Sequence, residues 1–236
     1  MDEEADKSDS GRTAAGSGGD TDVDQLLRER NEIDSALRRH KAQMAVLFTD
    51  IVGSTAFFER YGDTAGLIML QRHHELVLPT IEEASGTVIK TIGDAVLATF
   101  SSPQAAVRTA INIQQRLAAY NETRPQEERI FTRIGINFGT GIVKDRDLFG
   151  DVVNVAARFV KACAPAQILV SRTVYSDLTD QGDITIRKLG TTTFHGKAEP
   201  EEIYEVLWTT EEEYDRLRHQ LDVQEKGHTT RSVLGR

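Results

Sequence analysis

The chain has 236 residues, of which 39% are hydrophobic and 28% charged, proportions that are ordinary for a soluble globular domain. Its formal net charge of −9 argues against a general nucleic-acid-binding protein, because such proteins usually carry a basic surface. The single cysteine, Cys163, excludes an intrachain disulfide and a zinc site built from several cysteines, and we interpret it as a small core residue.

The N-terminal segment is predicted to lie outside the globular domain. Residues 1–22 are acidic and rich in Gly, Ser and Ala, a composition typical of disorder. Residues 23–43 are predicted to be a signalling segment that contains a helix over 23–41. This helix forms either a short coiled coil between two subunits or a single amphipathic helix lying on the domain. The apolar positions that indicate this helix are Val23, Leu26, Ile33 and Leu37.

No part of the sequence predicts a membrane span or a secretory leader. The apolar runs are too short to cross a bilayer, and the first residues lack an apolar leader segment. We therefore expect a cytoplasmic protein. A regulatory domain on a longer parent chain remains open.

Residues 44–208 are predicted to form the globular domain, followed by a charged helix and tail over 209–236. A kink is expected near Pro79, and His74 is expected to be a core histidine. The order of elements predicts an α+β fold, with helices packed on one mainly antiparallel sheet, late C-terminal strands and a ferredoxin-like topology. Strands are predicted over 44–49, 87–91, 95–100, 130–137, 167–171, 184–189 and 203–208, and helices over 67–81, 106–117, 152–161 and 173–178.

Two aspartates follow apolar strands, in the segments FTDIVGST (residues 48–55) and KTIGD (residues 90–94). If the strands are neighbours, Asp50 and Asp94 converge on one edge of the sheet. Carboxylate oxygens there can hold divalent cations against a polyphosphate. Taken singly, Asp50 is better explained as a helix cap and Asp94 as a turn residue, because aspartate is common at both places.

The residues after Asp50 form a candidate phosphate-binding turn. Successive backbone N–H groups before a helix can bind an anion, although the Gly-Lys-Ser/Thr ending of a P-loop is absent. The residues of this turn are Ile51, Val52, Gly53, Ser54 and Thr55.

A third segment, DLFGDVVNVAAR, covers residues 147–158. Asn154 and Arg158 are four residues apart on a predicted helix and therefore project from one face. An amide and a guanidinium directed together suit a sugar and a transition-state phosphate. An ordinary exposed polar pair is the alternative.

In this order and spacing, the segments resemble the catalytic domain of class III nucleotidyl cyclases over about residues 44–208. The resemblance implies that Asp50 and Asp94 bind two Mg²⁺ ions in each site, with Mn²⁺ as a further candidate. Lys197, in the segment HGK, is a looser match to a phosphate-contacting lysine, and an exposed loop lysine is the alternative.

The same resemblance implies that Lys90 and Asp147 read the purine, Asn154 orients the ribose, and Arg158 stabilises charge on the α-phosphate. A lysine donor and an aspartate acceptor match N1 and the exocyclic amine of adenine. Guanine presents the reverse pattern and would leave polar groups unpaired. The resemblance, taken together with the pair of Lys90 and Asp147, therefore favours ATP as the substrate.

Members of the family work as dimers with sites at the interface. One subunit supplies the metal-binding aspartates, and the other supplies the base-reading pair, the asparagine and the arginine. The chain contains the whole set, so a symmetric homodimer would hold two shared sites. The chain departs from some members of the family in two places. The stretch between Gly135 and Asp147 is short, and Thr140 stands where some members have a phosphate-facing arginine.

These observations predict an adenylate cyclase, a phosphorus-oxygen lyase that converts ATP to 3′,5′-cyclic AMP and diphosphate. Guanylate cyclase and a catalytically silent nucleotide-binding module are the alternatives. A diguanylate cyclase is disfavoured, since the hairpin tip at residues 92–95 reads IGDA rather than its glycine-rich motif.

Overall fold

A computed structural model describes residues 18–38, 40–145, 147–178, 182–193 and 200–221. The chain divides into two compact units, residues 1–40 and 41–236. In the first unit, helix α1 spans Gly18–Arg38, where the apolar stripe predicts a helix. Val23 and Leu26 are exposed on it. Most of the predicted disordered segment lies outside the described residues.

The second unit contains an eight-stranded sheet. Its strands are β1 Lys41–Ile51, β2 Thr87–Ile92, β3 Ala95–Phe100, β4 Thr132–Lys144, β5 Asp147–Phe149, β6 Ile168–Ser171, β7 Thr185–Thr192 and β8 Glu201–Leu207. Its helices are α2 Ser54–Glu83, α3 Pro103–Glu122, α4 Asp151–Ala162, α5 Arg172–Asp177 and α6 over residues 211–221, with a 3₁₀ turn over Gln126–Glu128. No helix in the described part of the chain is long and apolar enough to cross a membrane.

The strand order confirms the predicted α+β fold. The sheet runs β2-β3-β1-β4-β6-β8-β7, with β5 paired to β4. Among the described strands, β4 and β6 are the one pair that runs parallel. From β1 to β4 the elements follow the order βαββαβ, and β1 lies between β3 and β4, which is the ferredoxin-like arrangement.

Strand β5 is missing from the strands that the sequence predicts. Asp147 pairs with Lys144 in a tight hairpin between β4 and β5. Asp145 in the turn has a φ of 52°, in the left-handed region that tight hairpin turns require. A strand of three residues is too short to produce a recognisable alternation of apolar and polar positions.

Helices cover both faces of the sheet because β1 is apolar on both sides. Ala45 and Leu47 face the core that contains α2 and α3. Val46 and Phe48 pack in a second cluster with Val152 of α4. Successive side chains of a strand point to opposite faces, so a strand buried on both faces appears as a continuous apolar run. This arrangement places α4 on the face of β1 that also carries Asp50.

The structure defines α2 in more detail and corrects one prediction within it. Helical geometry is interrupted at Gly62, with φ 81° and ψ 170°, and Pro79 lies within the helix. Glycine adopts this backbone conformation without a steric penalty, whereas other residues rarely do. The fully buried histidine is His73, while His74 is only partly buried. Burial lowers the pKa of His73 to about 3, so this side chain is neutral at physiological pH.

Gly135 allows α4 to approach β4 closely. A Cβ at this position would lie 2.4 Å from the backbone N of Val160 and 2.7 Å from the carbonyl oxygen of Ala156. Gly135→Ala is therefore expected to displace α4 and lower the free energy of unfolding by about 1–3 kcal/mol, measured by urea denaturation.

Gly139 is the matched control on the same strand. A Cβ there would meet Val152 Cγ2 at 3.5 Å, an ordinary van der Waals distance. Gly139→Ala should change stability by less than about 1 kcal/mol. Equal stabilities of the two variants would contradict the close-approach argument.

Candidate active site

Asp50 and Asp94 lie at the same end of the sheet. The β1–β3 ladder pairs Thr49 with Val96, and its continuation places Asp50 opposite Ala95, next to Asp94. Asp94 lies in the turn between β2 and β3, after Gly93 with a φ of 62°. The fold therefore brings the two aspartates to the same end of neighbouring strands.

The alternative of a helix cap for Asp50 does not match the geometry. The residue at the N-cap of α2 is Gly53, and no side chain caps the helix there. The Oδ2 atom of Asp50 instead accepts a hydrogen bond from Arg133 Nη2, across the β1–β4 ladder.

The chemistry of the two aspartates fits a divalent cation. Oδ2 of Asp94 is buried without a hydrogen-bond partner, although an unpaired buried carboxylate oxygen is unfavourable. Among the described residues, no three or more His, Cys, Asp or Glu side chains are grouped so that they could hold a metal ion by themselves. Two carboxylates suit Mg²⁺, because this ion usually keeps water and takes further oxygen ligands from substrate phosphates.

One of the five residues predicted to form the phosphate-binding turn cannot contribute its backbone N–H. The N–H of Val52 donates to the carbonyl oxygen of Phe131 at 2.8 Å, and Ile51 pairs with Thr132 in the sheet. Val52 thus cannot offer its N–H to a phosphate, a correction that only the β1–β4 register reveals. Gly53, with a φ of 73°, is the N-cap of α2, and Ser54 and Thr55 are the first two residues of the helix.

The N-terminus of α2 remains suited to an anion. The first N–H groups of a helix have no partner within the helix, and the helix dipole favours negative charge there. No acidic side chain occupies the first turn of α2. Two residues, Val52 and Gly53, separate this turn from the end of β1, so the turn lies close to Asp50 in the chain.

Lys90 and Asp147 form an ion pair within one chain. Lys90 Nζ lies 2.6 Å from Oδ1 and 2.8 Å from Oδ2 of Asp147, and the Leu148 N–H donates to Oδ1 at 2.7 Å. The hydrogen bond from Lys90 is the main cause that lowers the pKa of Asp147 below its usual value. Both side chains stay more than a third exposed, so a ligand can reach them.

Asn154 and Arg158 lie on the outward face of α4. The inward stripe of this helix is apolar, and it consists of Val152, Val155, Ala156, Phe159 and Val160. Asn154 is exposed. Nη1 of Arg158 is buried and has no hydrogen-bond partner in the described part of the chain. The amide of Asn154 is thus open to solvent, whereas the guanidinium of Arg158 is half-buried with one unpaired nitrogen.

Other predicted residues contribute less to this geometry. Lys197 lies outside the described residues. Cys163 is buried and donates from Sγ to the carbonyl oxygen of Ile134 at 3.1 Å. Burial raises its pKa to about 12, in keeping with a core residue and not with a thiolate nucleophile.

Arg133 is the residue of this site that the sequence reading missed. It is the charged position in the apolar strand segment 130–137, one residue before Ile134. A single charged residue in an apolar strand is a signal by which the sequence could have singled out Arg133. Its partner Asp50 is 83 residues away, however, and only the β1–β4 register identifies it.

The sequence matches the family model described as the adenylate and guanylate cyclase catalytic domain over residues 37–224. This span is more than half of the chain. The chain belongs to this family of nucleotide cyclases. The resemblance to class III cyclases is thereby confirmed.

Similar proteins include cyclases of several organisms. A putative adenylate cyclase 3 of Rhizobium meliloti is 36% identical over 149 residues, which cover 63% of this chain and 25% of that protein. Adenylate cyclase 1 of the same organism is 29% identical over 186 residues, covering 71% and 28%. The chain thus spans about a quarter of the length of these relatives.

The fold of the cyclase domain also matches solved structures. An adenylate/guanylate cyclase/hydrolase from Silicibacter pomeroyi is 35% identical, with a TM-score of 0.63, and the match covers 71% of this chain and 97% of that one. Adenylate cyclases from Trypanosoma brucei in their monomeric state share the fold at 22% identity, with a TM-score of 0.62 over 72% of this chain and 91% of that one.

Proposed function

We propose that this cyclase domain is an adenylate cyclase, which converts ATP to 3′,5′-cyclic AMP and diphosphate. The observation that carries the choice of ATP is the ion pair between Lys90 and Asp147. The relatives named adenylate cyclase support the same choice.

The ion pair presents a donor and an acceptor side by side. Lysine has three N–H donors, so Lys90 can donate to N1 of adenine while it keeps a hydrogen bond to Asp147. Asp147 can accept from the exocyclic amine, because each carboxylate oxygen has more than one lone pair. With guanine, an N–H would face the ammonium and a carbonyl would face the carboxylate, which leaves polar groups unpaired.

The outward direction of Asn154 and Arg158 supports a homodimer with two shared sites. These side chains project from the face of α4 opposite its apolar stripe, whereas Asp50 and Asp94 lie at the end of the sheet. A two-fold axis that brings α4 of one chain to the sheet end of the other would complete two identical sites. Each chain would then contribute one half of each of the two sites.

In the proposed reaction the ribose 3′-hydroxyl attacks the α-phosphate in line with the departing diphosphate. Asn154 orients the ribose, and Arg158 stabilises the negative charge that develops on the α-phosphate. Asp50 and Asp94 would hold two Mg²⁺ ions, or Mn²⁺, and the bound ions would lower the pKa of the 3′-hydroxyl and neutralise the diphosphate. The start of α2 binds phosphate oxygens through its N–H groups.

The test is product formation by the purified chain with ATP and GTP under matched conditions. We expect cyclic AMP to form with a kcat/KM at least about 100-fold above that for cyclic GMP. Preferential turnover of GTP would overturn the base assignment. Absence of both products, with nucleotide binding intact, would identify a silent binding module.

A further inference from the structure

We propose that a cavity between α3, α6 and the segment before β4 binds a small organic ammonium ion with an apolar body. The cavity has a volume of about 450 Å³. Sites for small organic molecules typically measure about 300–1,000 Å³. The described residues that line it include none of those proposed to hold the nucleotide or the metal ions, so its ligand can be tested independently of cyclase activity.

The apolar part of the wall matches the apolar body of such a ligand. Leu117 of α3, Ile130 and Trp208 are buried, and Leu217 of α6 lines the same cavity. The indole N–H of Trp208 donates to the carbonyl oxygen of Ala166 at 2.8 Å, so the ring offers the cavity carbon surface alone. Removing a hydrocarbon body from water against these side chains is favourable.

A buried glutamine at the wall has an acceptor without a partner. Gln114 of α3 is 2% exposed, and its Nε2 donates to the carbonyl oxygen of Thr132 at 2.9 Å. Its Oε1 accepts no hydrogen bond from the described residues. Asn121, one helical segment further on, instead uses both ends of its amide on the backbone of Ile130. An unpaired amide oxygen is unfavourable, and an N–H donor of a ligand would satisfy it.

The charge around the cavity favours a cation. Two of the described lining residues, Glu122 and Glu213, are acidic, and one, Arg129, is basic. The hydrogen bond from Thr209 is the main cause that lowers the pKa of Glu213, so this carboxylate is ionised at neutral pH. The last turn of α3 also lines the cavity and contains no basic residue, and the C-terminal end of a helix favours positive charge.

The wall of the cavity is bonded to the turn that follows β1. The carbonyl oxygen of Phe131, a lining residue, accepts from the N–H of Val52 at 2.8 Å. Val52 directly precedes Gly53, the N-cap of α2, where we place the phosphates. A ligand in the cavity therefore contacts the segment that positions this turn. This coupling rests on the proposed function, whereas binding to the cavity does not.

The experiment is a titration of the full chain with 4-phenylbutylamine, a cation, followed by the fluorescence of Trp208, the single tryptophan of the chain. Neutral 4-phenylbutanol and anionic 4-phenylbutyrate are probes of similar shape. At constant ionic strength, we expect saturable binding of the amine with a Kd about 3–10-fold below that of the alcohol, and weaker binding of the acid. Equal or tighter binding of the alcohol or the acid, or no saturable change up to the solubility limit of the amine, would overturn the proposal.

One pair of variants tests the recognition of charge. Glu213→Gln should raise the Kd of the amine about 3–5-fold and leave that of the alcohol unchanged. Glu212→Gln is the matched control, because this neighbouring carboxylate lies outside the cavity and pairs with Arg216. An unchanged ratio of the two Kd values in Glu213→Gln would contradict recognition of the ammonium group.

A third variant tests the place of binding. Ala118 lines the cavity, so Ala118→Leu should fill it and abolish saturable binding of both probes. Trp208 also lines a second cavity, together with Asn112 of α3. Retained binding in Ala118→Leu would assign the probes to another place and refute the site. If Ala118→Leu does not fold, the Glu213→Gln and Glu212→Gln pair still decides.

Coupling to the nucleotide site is tested by repeating the amine titration with saturating 3′-deoxy-ATP, which lacks the attacking hydroxyl. Because linkage between two bound ligands is reciprocal, a coupled cavity should show an amine Kd changed by about 5-fold or more. An unchanged Kd, with the nucleotide shown to be bound, would refute the coupling. Failure to bind the nucleotide would count against the proposed function and leave the titration without nucleotide unaffected.

Discussion

Asp50→Ala and Arg158→Ala are each expected to lose cyclase activity by at least about 10²–10³-fold, and a mixture of the two is expected to regain it. In a shared site, the aspartates of the Arg158→Ala chain join the arginine of the Asp50→Ala chain. With random pairing, half of the dimers are mixed and each has one intact site, so about a quarter of the wild-type activity should return. Cyclic AMP formation at constant total chain concentration measures the recovery.

A mixture of Asp50→Ala with Asp94→Ala is the matched control. Both substitutions affect the same half-site, so each site of a mixed dimer lacks one aspartate, and no activity should return. Mixed dimers are verified by capture through one of two different tags. Lack of recovery by Asp50→Ala with Arg158→Ala, with mixed dimers present, would show that the site is not divided between chains.

Exchange of the base-reading pair is expected to reverse the nucleotide preference. Lys90→Glu with Asp147→Cys replaces the donor with an acceptor and the acceptor with a weak donor, the pattern that guanine requires. The ratio of kcat/KM for ATP to that for GTP should fall by about 100-fold or more, because mispaired buried polar groups disfavour the wrong base. Initial rates with both nucleotides measure the ratio.

The single variants serve as controls for this exchange. Lys90→Glu alone places a carboxylate beside Asp147, so the two like charges repel and turnover of both nucleotides should fall. Asp147→Cys alone removes the acceptor for the amine of adenine and the partner of Lys90. An unchanged preference in the double variant would contradict the assigned roles of both residues.

The sequence by itself determined the order of the elements from β1 to β4, which restricts the possible topologies. Apolar runs mark β1 and β3, and the apolar stripe of α4 leaves Asn154 and Arg158 on the opposite face of the helix. These features depend on periodicities within single elements, which sequence spacing shows directly. The order βαββαβ then allows few arrangements, of which the ferredoxin-like sheet is one.

Local patterns placed the buried histidine of α2 wrongly and missed one short strand. Gly62, which can adopt a positive φ, interrupts α2, and the buried face of this helix contains His73 instead of His74. A strand as short as β5 likewise has no periodicity to detect, although its first residue, Asp147, contacts Lys90.

Only the tertiary structure decided which groups are free and which are already paired. The N–H of Val52 is taken by Phe131, and Asp50 is held by Arg133, in both cases through the β1–β4 register. Partners about 80 residues apart in sequence become neighbours because strand pairing is long-range, and no local pattern contains that information. The sequence thus determined which side chains could form the site, and the register of the sheet determined how they are held.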